Sequence, residues 1–330
     1  MLPICSPTGD PLSNDVPVPY TIRGLLIGIS YLIGYVVTAG PQLLVLFAIL
    51  HKHHLQYSCY KLMIMVSFYD ILNLTEAMFI SGIFSVFNWS HCNLGYPVLA
   101  VGKSILFIWF AYCITSITLA INRLLEFVHR PTSEFLFQGR RAWIWFFPAW
   151  VYSITMECTT TRPFYIYIPD KGEWSFYELS DDEQKLVENP NHITNNTMKS
   201  VVIASIYGLM LIILKIKLRR SGATMSQMEI MLSIQAFIIG MLSMLSSLGF
   251  VVLSYLPISN FLLIGPVEQF MWASVHGGSA YIYLFMNKSV RNTALAPFRT
   301  KKKTTVVKSI AGITISTVPL SSATASASAK

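Results

Sequence analysis

The sequence predicts an all-α integral membrane protein, a seven-transmembrane helix bundle with its N-terminus outside and its C-terminus in the cytosol. Three observations predict it. Of 330 residues, 53% are hydrophobic and only 12% charged, with a mean hydropathy of +0.53, whereas a soluble domain carries about 25% charged residues. Apolar runs close to the roughly 20 residues that span a bilayer recur along the chain. Lys and Arg are one-sided: Arg123, the connections after runs one, three and five, and the tail hold 18 of the 24. That asymmetry sets the orientation. The net charge of +8 therefore reflects membrane orientation, and nucleic acid is not an expected partner.

Residues 1–22 carry no cleavable leader, so the first span, about 24–50, acts as signal-anchor. It contains Pro41, which membrane helices tolerate. The following His51-Lys52-His53-His54 has no partner box for a metal and reads as an interfacial loop. Span two, about 62–87, carries Asp70 and Glu76, which stand about 120° apart around a helix and need not share a partner. Span three, about 94–123, organises the chain. Cys92 precedes it, Lys103 lies inside it, and Asn122 and Arg123 close it. A lysine in hydrocarbon costs on the order of 2.5–3.5 kcal/mol, so Lys103 faces protein or water.

Span four, about 143–160, holds Glu157 near its outer end, and the acidic connection 161–199 reads as a solvated lid. Spans five, six and seven follow at about 199–214, 230–256 and 261–285, the last containing Glu268, Trp272 and His276. The Ser/Thr/Ala tail has a disordered composition and offers phosphorylation sites. These readings divide the chain into an extracellular segment 1–22, a membrane domain 23–291 and a cytosolic tail 292–330.

Lys103, Glu76, Glu157 and Glu268 all project to the outer halves of their spans, which fits a polar ligand pocket or, equally, a structural ion-pair network. Trp272 is pocket wall or packing. The sequons predict glycosylation at Asn195 and Asn88 but not at Asn287. Cys92 faces an oxidising compartment while the long outer loop has no cysteine, so its partner is expected to be Cys5, then Cys158. Neither a nucleophile constellation nor metal-ligand spacing occurs, so no enzyme activity and no cofactor are expected. A ligand-gated channel or transporter would need similar buried charges, but no internal repeat supports a transporter.

Several segments carry a resemblance: Ser58-Cys59-Tyr60-Lys61-Leu62-Met63, Ile121-Asn122-Arg123-Leu124-Leu125, Gly139-Arg140-Arg141, Trp272-Ala273-Ser274-Val275-His276-Gly277 and Ile282-Tyr283-Leu284-Phe285-Met286-Asn287. In this order they resemble the nematode serpentine receptor class T family of G-protein-coupled receptors, over about 20–291. The resemblance implies a chemoreceptor at the plasma membrane of sensory cilia, binding a small chemosensory ligand and signalling to a heterotrimeric G protein. Asn122 and Arg123, with Arg140, Arg141, Arg219 and Arg220, then face the G protein, Asp70 and His276 are switch candidates, and a kinase and arrestin meet the tail. Spans three and seven face each other across the ligand cavity in such receptors. That pairs Lys103 with Glu268, or alternatively with Glu76 or Glu157, until a ligand carboxylate takes the lysine. The chain departs from the rhodopsin-like pattern in having Asn122 before the arginine, no Trp-x-Pro in span six and no Asn-Pro-x-x-Tyr in span seven.

Overall fold

The computed structural model describes residues 21–160, 162–179, 184–219, 227–255 and 263–298. The chain separates into two compact units, Met1–Ala294 and Leu295–Lys330, and the helix bundle lies in the first. Its long helices among the described residues are α1 (Ile22–Ile49), α2 (Ser58–Val86), α3 (Tyr96–Val128), α4 (Phe146–Thr159), α5 (Pro190–Arg219), α6 (Gln227–Tyr255) and α7 (Ile264–Met286). A short amphipathic helix, α8 (Lys288–Leu295), follows α7. Four of them, α1, α2, α3 and α5, are long and apolar enough to cross a membrane by composition alone. The 14 residues of α4 make it shorter, about 21 Å at 1.5 Å per residue.

Helix α3 is the central post. It packs against α2, α4, α5 and α6, while α1 packs on α2 and α7. Gly95, at φ +71°, turns the chain into it, and Pro97 sits in its first turn, where a missing N–H removes no helical bond. In α2, Thr75–Ile80 widens into a π turn, and Ser81 Oγ donates to the Glu76 carbonyl inside it (2.9 Å).

The connection expected as a solvated lid folds back onto the bundle instead. Strands β1 (Phe164–Ile168), β2 (Glu173–Leu179) and β3 (Gln184–Leu186) form an antiparallel sheet in the order β1-β2-β3, with Tyr165 opposite Phe176 and Tyr167 opposite Trp174. Those four aromatic residues are buried. Tyr167 and Ser85 share a hydroxyl bond (2.7 Å), Trp174 donates to Ser81 Oγ (2.8 Å), and Tyr31 donates to the Gly172 carbonyl (2.6 Å). The sheet therefore plugs one end of the bundle. Gly102 on α3 permits this approach, because a Cβ there would collide with the Tyr165 carbonyl.

Helix α5 begins nine residues before the expected span. Asn189 Oδ1 accepts from the backbone N–H groups of Asn191 and His192 (3.0 and 3.1 Å), and Pro190 opens the helix. An asparagine cap followed by proline is a helix start.

Candidate functional site

Glu268, Trp272 and His276 recur every fourth residue on α7, so they share one face of the helix. That face runs from a cavity near the sheet into the bundle core. The cavity is walled by Trp109 of α3, His192 and Asn196 of α5, Ser246 and Ser247 of α6, and Glu268, Met271 and Trp272 of α7. Strand β2 reaches its rim, where the Phe176 ring lies 5.3 Å from that of His192. Trp109 donates to Asn196 Oδ1 (2.8 Å) and meets Trp272 edge-on at 5.5 Å between ring centres.

From the cavity a hydrogen-bond chain leads inward. Trp272 Nε1–H donates to His276 Nε2 (2.8 Å), so that nitrogen is the acceptor. His276 is therefore the neutral tautomer with its proton on Nδ1, which donates to Asp70 Oδ1 at 2.7 Å. Asp70 Oδ2 also accepts from Gln42 Nε2 (3.0 Å) and Ser279 Oγ (3.2 Å). The Asp70 and His276 side chains are essentially inaccessible. The sequence named both as switch candidates without joining them; they lie 206 residues apart.

The same core buries Lys199. It is 2% exposed, and its ammonium lies over the rings of Trp109 (4.1 Å) and Tyr112 (4.5 Å) with no hydrogen-bond acceptor. Asp70 and Lys199 interact electrostatically through the core. A desolvated cation over an aromatic face gains about 2 kcal/mol, much less than losing its water costs.

Residues 12–306 match the family model for the serpentine type 7TM GPCR chemoreceptor Srt. The chain belongs to the Srt family. Its fold is thus a seven-transmembrane receptor bundle, and it is a multi-pass membrane protein of a receptor family. No curated protein matches it.

The Srt bundle corrects several expectations. Lys103 does not meet Glu268. It leans toward α4, pairing with Glu157 Oε2 (3.3 Å) and donating to the Thr160 carbonyl (2.6 Å), because α3 and α4 pack side by side there. Nor is Glu76 its partner: Glu76 Oε1 accepts from Ser104 Oγ (2.7 Å). Of the four charged residues expected to converge, Glu268 lines the cavity with Trp272, and Lys103, Glu76 and Glu157 do not.

The surroundings of Asn195 argue against its expected glycosylation. The residue is 4% exposed inside α5, where it accepts from Tyr152 (2.9 Å) and donates to Cys113 Sγ (3.3 Å), leaving no room for a sugar. Asn88 is buried as well, at φ 54°, its carbonyl taken by Asn93, which argues equally against a glycan there. Cys92 is disulfide-bonded. Cys158, the second expected partner, is a free exposed thiol, while Cys5 lies outside the described residues.

At the opposite end, Asn122 and Arg123 point different ways. Asn122 is fully buried and donates to Ser133 Oγ (3.1 Å) on the loop helix Arg130–Phe137, so in this arrangement it bonds that helix and is not on the surface. Arg123 pairs with Glu126 (3.3 Å) and borders a second cavity, about 280 Å³, with Met63, Leu119, Tyr207, Gln235 and Tyr283. Arg140 is exposed; Arg141 packs on Phe135 and donates to the Glu134 carbonyl (3.1 Å). Arg219 is exposed at the end of α5, and Arg220 lies outside the described residues.

Sequence reasoning missed Gln42, Asn196, Lys199 and Ser279. The signal for two of them was present: His192, Asn196 and Lys199 follow the Asn189-Pro190 start at helical spacing.

Proposed function

We propose that this Srt receptor binds a small chemosensory ligand in the Glu268–Trp272 cavity and signals to a heterotrimeric G protein at the Arg123 end. The observation that carries this reading is the chain Trp272–His276–Asp70, which ties a cavity wall to α1 and α2 through Gln42 and Asp70. A ligand that moves Trp272 changes the acceptor geometry at His276 and so biases the packing of α7 against α1 and α2. It can do so only by its differential affinity for two arrangements. Asp70 and His276 are then the switch, and Arg123, Arg140, Arg141, Arg219 and Arg220 form the G-protein face. The N-terminal segment 1–22 lies outside, the domain 23–291 spans the plasma membrane of sensory cilia, and the cytosolic tail 292–330 meets a kinase and arrestin.

The test is heterologous expression with a calcium reporter and a screen of odorants, with epitope tags at both termini. Responses are expected that require Trp272 and a G protein. Arg123→Gln should keep ligand binding and lower the response roughly tenfold, within the usual range of coupling between sites. Intact cells should stain at the N-terminal tag alone. Ligand-evoked current or uptake without a G protein, or staining at the C-terminal tag, would overturn the reading.

A further inference from the structure

We propose that the ligand is a small organic cation, an amine carrying an apolar group, with Glu268 as its counter-ion and the Trp272 ring as its platform. The inference rests on the cavity being the receptor's ligand site.

Its charge content selects the class. Glu268 is the acid on the wall, and among the described residues no lysine or arginine lines the cavity. Among the described residues no ion pair or hydrogen bond occupies the Glu268 carboxylate. Two further carboxylates, Glu173 on β2 and Glu188 just before α5, stand near enough to act electrostatically on it. Of these, Glu173 is paired with Lys171 (3.6 Å).

Two lysines of the helices are engaged elsewhere. Lys103 is held by Glu157 and the Thr160 carbonyl. Lys199 sits on the Trp109 and Tyr112 rings, outside the lining. An anionic ligand would thus meet Glu268 without a compensating lysine or arginine among the described lining residues. A cation meets a carboxylate and, one helical turn along the same face, the Trp272 indole; aromatic faces attract cations through their quadrupole. Lys199 already occupies Trp109, which leaves Trp272 as the platform. Met271 supplies apolar contact, and the Ser246 and Ser247 hydroxyls supply polar contact.

The test uses the purified full chain in lipid nanodiscs, without G protein. Phenethylamine and tetramethylammonium are compared with 2-phenylethanol and 3-phenylpropanoate, by ligand-induced shift of the unfolding temperature and by tryptophan fluorescence. Phenethylamine should bind about tenfold or more tightly than 2-phenylethanol, a ratio worth roughly 1.4 kcal/mol. Glu268→Gln should bring that ratio close to one, and Glu268→Asp should keep it above one. The unliganded unfolding temperature of each variant separates lost binding from lost fold. If Glu268→Gln does not fold, the wild-type ratio of amine to alcohol decides.

Equal binding of amine and alcohol, an amine preference that survives Glu268→Gln, or tighter binding of the phenylpropanoate would each overturn the proposal. A G-protein response evoked by carboxylates alone would sink the cation class and leave the receptor reading intact. Amine binding without any G-protein response would do the reverse.

Discussion

The two cavities of the bundle hold opposite kinds of charge. Near the sheet, Glu268 faces open space beside an indole, with no ion pair to neutralise it. At the other end Arg123 already has Glu126 at 3.3 Å. On the proposed reading, the first cavity awaits an incoming charge, and the second holds an internal pair that a binding protein would have to displace. Between them lies the Asp70–His276–Lys199 core, in which no acidic or basic group is free to leave.

The largest test of that comparison breaks the link. Asp70→Ala should lower stability by roughly 3–5 kcal/mol, because the Lys199 charge stays buried without its counterpart. Thermal unfolding of the purified receptor and surface expression measure it. Adding Lys199→Met to Asp70→Asn should restore most of the loss. No restoration would mean that the two charges are not partners.

Next, Gly102→Ala acts on the sheet end alone. Its methyl group drives the Tyr165 carbonyl away from α3, costing about 2 kcal/mol as overpacking does. Ligand affinity should fall while Arg123→Gln keeps its separate effect on signalling. If both readouts drop together, the two ends are not independent.

A third effect, of about 2 kcal/mol at most, depends on pH. Burial pushes His91, in the turn before α3, down to about 4 from the ordinary 6.5. The folded receptor keeps this ring neutral, whereas the unfolded chain takes up a proton first as pH falls. Its contribution is therefore present above about pH 6.5 and is lost progressively down to about pH 4. The unfolding temperature should drop between about pH 7.5 and 5, and His91→Gln should flatten that part of the curve.

The smallest expected effect sharpens the assignment of Lys103. Its side chain is 35% exposed, so a double-mutant cycle of Lys103→Met with Glu157→Gln should give a coupling of about 1 kcal/mol or less. The same cycle with Glu268→Gln should give none. A coupling to Glu268 equal to that with Glu157 would undo the separation of the cavity from the α3–α4 pair.

Much of the fold was legible because its signals are local. Apolar length and the placement of Lys and Arg mark spans in any chain, and the ordered motifs from Ser58 to Asn287 carried the family. What escaped was long-range. The aromatic alternation of Tyr165, Tyr167, Trp174 and Phe176 was readable as a hairpin, but its acidic neighbours made the segment look solvated. The Asn195 sequon is a local pattern too, yet its meaning depends on whether the asparagine faces the lumen or Cys113.

The sequence by itself determined the helices, the family and the face of α7 that carries Glu268, Trp272 and His276, since those follow from composition and a 3.6-residue period. Only the tertiary structure decided which groups meet. Lys103 turned to Glu157, His276 to Asp70, and Lys199 into the core. Periodicity fixes which residues share a face but not how each helix is rotated against its neighbours. That rotation is set by the packing of every contacting side chain at once, and at an intramembrane charge it decides which partner lies within hydrogen-bond reach.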